Sequence, residues 1–172
     1  MTPTTVTTLT PQHARALNAL TREAIRLSPA AFTTDFAQVR DRPLSAIVNH
    51  LIELEQSNGF RLGAFEPGGE LVGTVRLNTR SGSKLDHGAD VLFLYVQTAW
   101  RGRGIARQLM QELIVQARRI DGLRQLELAV SRDSGQAIRL YESLGFEATG
   151  VLRDQIRVDD RYHDLITMWK AL

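Results

Sequence analysis

Val91 to Ala106 reads V-L-F-L-Y-V-Q-T-A-W-R-G-R-G-I-A. The first six residues form an unbroken apolar run rich in Val, Leu and aromatics, the signature of a strand buried on both faces. After a short polar turn the period changes. Ile105, Leu109, Met110, Leu113, Ile114 and Ala117 recur at helical spacing, with Arg107, Gln111, Glu112, Gln116 and Arg118 between them. The stretch predicts a buried strand, a glycine-bearing turn and an amphipathic helix.

Working outward, Leu126 to Val130 predicts the next strand. A helix joins it to the central one, so the two run parallel. Phe60 to Phe65 and Leu71 to Leu77 flank the turn E-P-G-G-E and predict a hairpin. Thr4 to Leu9 reads as an edge strand, and Thr10-Pro11 opens a helix carrying Leu17, Leu20, Ala24 and Leu27. Ser28 to Arg42 looks irregular, anchored by Phe32 and Phe36, before a second helix from about Pro43 to Asn58-Gly59. Asn78 to Gly88 is a polar loop. Past the Leu126 strand, a helix carries Ala137, Ile138, Leu140, Tyr141 and Leu144 to a Gly145 cap. Strands then start at Phe146 and at Tyr162, with a polar, exposed Gly150 to Arg161 between them. The fold class is α/β (α+β), a mixed central sheet of about seven strands flanked by about four helices. Residues 1–172 are expected to form one domain.

Composition narrows the function. A formal charge of +2 with scattered basic residues suggests neither nucleic acid nor a membrane surface as partner. No stretch approaches the roughly 20 apolar residues of a membrane span, and M-T-P-T-T-V-T-T-L-T has no leader character, so the expected location is cytoplasmic. The chain has no cysteine, which excludes disulfides, thiolate metal sites and a cysteine nucleophile. His13, His50, His87 and His163 lack metal-ligand spacing, so no metal is expected.

The glycine turn points to an anion. The first N–H groups of a helix have no intrahelical partner and carry partial positive charge. Gly102 and Gly104 clear side chains from them, and Arg101 and Arg103 add charge. A Walker loop would need Gly-Lys-Ser/Thr where Ile105 and Ala106 follow Gly104, and a dinucleotide fingerprint would need Gly or Ala at Arg107. Neither fits.

Arg101, Gly104 and Ala106 satisfy R/Q-x-x-G-x-G/A directly after the strand ending Leu94-Tyr95-Val96, and Ala137, Tyr141, Gly145 and Phe146 satisfy A-x-x-x-Y-x-x-x-G-F. The two motifs together resemble the GNAT superfamily of N-acetyltransferases. The resemblance implies the GNAT fold and transfer of an acetyl group from acetyl-coenzyme A, the co-substrate, to a primary amine of a small molecule by direct attack in a ternary complex. Two alternatives stand beside it, acetylation of a protein N-terminus or lysine, and a non-catalytic coenzyme A sensor. The family's C-terminal strands imply a homodimer.

Carried over residue by residue, the resemblance gives the backbone of Leu94, Tyr95 and Val96 to the pantetheine arm and Arg101, Gly102, Arg103, Gly104, Ile105, Ala106 and Arg107 to the pyrophosphate. A backbone N–H near Val96 is implied as the oxyanion donor. Ser134 stands where the family commonly has Asn, which implies a weaker coenzyme contact or a helix cap. Tyr141 is implied as the acid that protonates the departing thiolate. Asp90, or else Glu127 or a chain of waters, is the expected base. Spacing by two puts Asp90 on the face of Leu92, Leu94 and Val96.

Overall fold

The computed structural model describes residues 4–172. Seven strands form one sheet in the order β1-β2-β3-β4-β5-β7-β6, with β1 at Thr5–Thr8, β2 at Phe60–Phe65, β3 at Leu71–Thr79, β4 at Gly88–Val96, β5 at Gln125–Ser131, β6 at Glu147–Val158 and β7 at Arg161–Ala171. Only β4 and β5 run parallel. The other pairings are antiparallel, so the sheet is mixed as expected.

The longer helices are α1 at Ala14–Leu27, α3 at Leu44–Gln56, α4 at Ile105–Ala117 and α5 at Gly135–Ser143. Two apolar clusters divide between the sheet faces. One joins α4 to Val75, Leu77, Val91, Val96, Leu126 and Tyr141. The other joins α1 and α3 to Leu9, Leu71 and Tyr95. Burial of these stripes, not intrinsic propensity, holds helices of this length in place.

Two loops of the sequence reading are structured instead. Ser28 to Arg42 contains a short helix α2, Phe36–Arg40, started by Asp35, whose Oδ1 accepts from the Ala37 N–H at 2.9 Å. Gly150 to Arg161 mostly belongs to β6, which pairs with β7 alone and whose side chains are almost all exposed. An edge strand with little to bury carries no apolar alternation, which is why it read as a loop.

A third difference bears on the site. Between the pairs Arg76↔Leu92 and Thr74↔Tyr95, β3 advances two residues and β4 three, and Phe93 has φ 56°. This is a β-bulge, and beyond it the alternation of faces inverts. Asp90 therefore shares a face with Leu92 and Tyr95, and not with Leu94 and Val96, which contact the α4 cluster.

Candidate active site

β4 and β5 pair over three rungs only, Gly88↔Gln125, Ala89↔Leu126 and Asp90↔Glu127, and then part. Past Asp90 the β4 backbone on that side has no strand partner, and buried backbone groups need one. Into this gap opens a cavity of about 590 Å³. The backbone segment Leu94 to Val96 lines one side, the turn Arg101, Gly102, Gly104 to Arg107 another, and Ser134 with the first turn of α5 a third.

The turn is shaped by its glycines. Gly102 has φ 75° and Gly104, the residue capping α4, has φ 80°, both left-handed. A Cβ at either position would meet no protein atom within 4 Å, so both open onto free space. The N–H of Gln108 is the first to bond back, to Gly104 at 3.0 Å, which leaves those of Ile105, Ala106 and Arg107 free for an anion. Ser134 occupies the cap position of α5, yet its hydroxyl makes no capping hydrogen bond. The donor set of this wall fits a coenzyme pyrophosphate.

The arginines are each held by protein. Arg101 Nε donates to the Val96 carbonyl at 3.0 Å with its guanidinium 5.5 Å from the Tyr95 ring centre, and Arg107 donates to Ser143 Oγ at 2.8 Å. Arg103 stacks on Trp100 at 4.5 Å and donates to the Ala99 carbonyl, outside the cavity wall.

Tyr141 is likewise not in the wall, although its neighbours Ala137 and Leu140 are. It is 7% exposed and packs edge to face against Phe146 at 5.8 Å. Burial pushes its phenol well above the ordinary value of 10.0, so it stays protonated.

Asp90 and Glu127 meet at the last shared rung, where Arg80 bridges them. Arg80 donates Nε to Asp90 Oδ2 at 3.3 Å, Nη2 to Asp90 Oδ1, and Nη1 to Glu127 Oε1 at 3.0 Å. Its hydrogen bonds hold Glu127 below the usual carboxylate range, and its own guanidinium is raised in return, by Glu127 first and then Asp90.

Sequence reasoning missed other wall residues, among them Phe32, Trp100 and Asp133. Phe32 stacks on Phe93 at 4.4 Å, a contact that exists only because the bulge turns Phe93 toward the N-terminal helices. Asp133 pairs with His163 Nδ1 at 2.8 Å. The two lie thirty residues apart, Asp133 in the turn between β5 and α5 and His163 in β7, so no sequence spacing reveals them.

Among the described residues no helix is long and apolar enough to cross a membrane. The model of the acetyltransferase (GNAT) family matches residues 21–146. The chain is 29% identical over 100 residues to an L-amino acid N-acetyltransferase of Escherichia coli, covering 58% of this chain and 61% of that one. It is 36% identical over 106 residues to an N-alpha-acetyltransferase of Mycobacterium tuberculosis, covering 62% and 63%. The matched span is thus under two thirds of either relative. A solved structure of a putative acetyltransferase from Salmonella typhimurium with its cofactor acetyl-CoA superposes with a TM-score of 0.86 at 23% identity, covering 99% of this chain and 94% of that one. With a family model matched over most of its length, a mixed seven-stranded sheet as expected and a strand pair that parts beside a glycine turn, this chain belongs to the GNAT acetyltransferase family.

Proposed function

We propose that this protein transfers the acetyl group of acetyl-coenzyme A to the primary amine of a small molecule, by direct attack in a ternary complex. The observation that carries the reading is the single cavity in which the parted β4 edge, the left-handed glycine turn and the open start of α4 converge. Leu94 to Val96 take the extended arm as a strand would, through backbone. The turn from Arg101 to Arg107, with Ser134 opposite, takes the pyrophosphate. The coenzyme supplies an activated thioester. In a chain without cysteine the acetyl group has no thiol of the protein to pause on.

Tyr141 holds its proton across the physiological range and, although it lies just behind the wall formed by its neighbours Ala137 and Leu140, is the proposed acid for the departing sulfur. Asp90 accepts the amine's proton. It is not among the residues that line the cavity, so that proton arrives through water. The relative named as an L-amino acid N-acetyltransferase supports a small acceptor.

Acetylation of a peptide's α-amine is the second reading, favoured by the 36% identity to the N-alpha-acetyltransferase. Thiol release from acetyl-coenzyme A separates the two when small amines and amino acids are compared with short peptides. Saturable release with a small amine supports the first reading. Release with peptides alone supports the second, and release with neither contradicts both.

A further inference from the structure

Behind Phe93 lies a smaller cavity, separate from the one assigned to the coenzyme. It measures about 140 Å³ and is lined by α1, α2, α3 with the segment joining the last two, and the sheet face of β2 to β4. Its wall brings together Arg42, Arg61, Arg76 and His50, and no Asp or Glu lines it.

Arg61, on β2, is 5% exposed. Its Nε donates to Thr74 Oγ1 at 3.0 Å, and its guanidinium lies 4.7 Å from the Phe93 ring centre. Its Nη2 is buried with no hydrogen-bond partner. Arg76, on β3, meets His50 through Nη1 at 3.0 Å, while its Nε is also buried and unpartnered. Two donors from two strands are thus left unmet at one small space.

The charge balance points the same way. Guanidinium groups remain protonated in proteins, so the wall carries three positive charges. Burial, then Arg76 and Arg42, push the Arg61 guanidinium down to about 9, and burial first among the causes pushes His50 down to about 4. His50 is therefore neutral, and the cavity resists further positive charge. Water filling it would satisfy the N–H groups but leave the buried charge uncompensated. An oxyanion answers both needs, and the guanidinium fork matches its geometry.

Size limits the occupant. At roughly 30 Å³ per water, the cavity holds about four to five water volumes, which suits one carboxylate or one tetrahedral oxyanion and excludes a nucleotide. We propose that Arg42, Arg61 and Arg76 form a buried binding site for a single small oxyanion, inorganic or the carboxylate of an acceptor molecule.

The second source follows from how the cavities adjoin. Ile25 and Thr34 line both the arginine cavity and a neighbouring one of about 550 Å³, and Phe32 lines that neighbour and the coenzyme cavity. The stacked pair Phe32 and Phe93 is the partition between the two ends. A carboxylate on an acceptor amine would lie on the far side of that partition.

Thermal unfolding of the full chain without coenzyme tests the site, at constant ionic strength, with inorganic phosphate, sulfate, an α-amino acid and the same amino acid's carboxamide as probes. Wild type is compared with Arg61→Met, with Arg42→Gln at the half-buried rim, and with Arg118→Gln on the exposed end of α4 as control. A saturable rise of the unfolding midpoint with phosphate or sulfate assigns a free anion. A rise with the amino acid and none with its carboxamide assigns the acceptor's carboxylate. Either supports the site if Arg42→Gln weakens the response at least tenfold and Arg118→Gln leaves it intact. Arg61→Met, where it folds, is expected to lose the response altogether. No saturable rise with any probe, or an unchanged response in Arg42→Gln, would overturn it. Because no coenzyme is present, failure here leaves the acetyl-transfer reading untouched.

Discussion

Tyr141, Gly104 and His50 each turn a local environment into a measurable consequence. Tyr141→Phe keeps the edge-to-face packing on Phe146 and removes only the buried hydroxyl. A fall in kcat of roughly 10²-fold with coenzyme affinity unchanged is expected, read from steady-state kinetics beside a direct binding titration. Gly104→Ala puts a Cβ on a residue at φ 80°, which costs about 1–2 kcal/mol of strain at the start of α4. Coenzyme binding should weaken roughly tenfold, measured by calorimetry, if those first amides are the binding groups as proposed. His50 has its folded-state value lowered to about 4 from 6.5, so the stability it contributes is present above 6.5 and lost as pH falls through 4. Replacing His50 with Gln should flatten the midpoint-against-pH curve in that interval. The motif residues were legible in the sequence because backbone chemistry fixes their type: a left-handed cap requires Gly at 104. Arg61 was not legible, since nothing in F-R-L-G-A-F marks its arginine as buried.

β4 decides the site, and its bulge is the feature that sequence hid. V-L-F-L-Y-V is apolar on both faces, so no alternation reveals where an extra residue inserts, and Asp90 was placed on the wrong side for that reason. The same limit applies to α2. Five residues fall short of two turns, so no periodicity could declare them, and Asp35 caps the helix. The strand–turn–helix from β4 to α4 was legible because a buried run gives way to a sustained helical stripe. At the junction of β3, β4 and β5, Arg80 holds Asp90 and Glu127 side by side. Arg80→Ala leaves two carboxylates facing each other on adjacent strands, and the unfolding midpoint at neutral pH should fall. Glu127 is held below its usual range in the wild type, so its contribution is present above about 4.5 and lost as pH falls through the lowered value. In Arg80→Ala that acid loss should reverse in sign, with the midpoint recovering as the carboxylates protonate.

At the scale of the molecule, the sheet order places the cavity assigned to the coenzyme at the gap between β4 and β5. The antiparallel β1 to β4 ladder carries the N-terminal helices on one face, and the β5-β7-β6 ladder swings away beyond the third shared rung. The gap is a consequence of topology, so the whole chain contributes to a site only a few residues wide. The neighbouring cavity of about 550 Å³, lined by α1, the α2 segment and β6, is the proposed acceptor side; the tertiary placement of those elements carries no motif, and this is why the acceptor class was not legible while the family was. The most direct test is a calorimetric titration of the chain with acetyl-coenzyme A, ATP and NAD. Saturable binding of acetyl-coenzyme A, with ATP and NAD giving none, is the predicted result; at 100 times its dissociation constant such a ligand also stabilises the fold by about 2.7 kcal/mol. Absence of binding by acetyl-coenzyme A, or tighter binding of ATP or NAD, would contradict the assignment of the cavity.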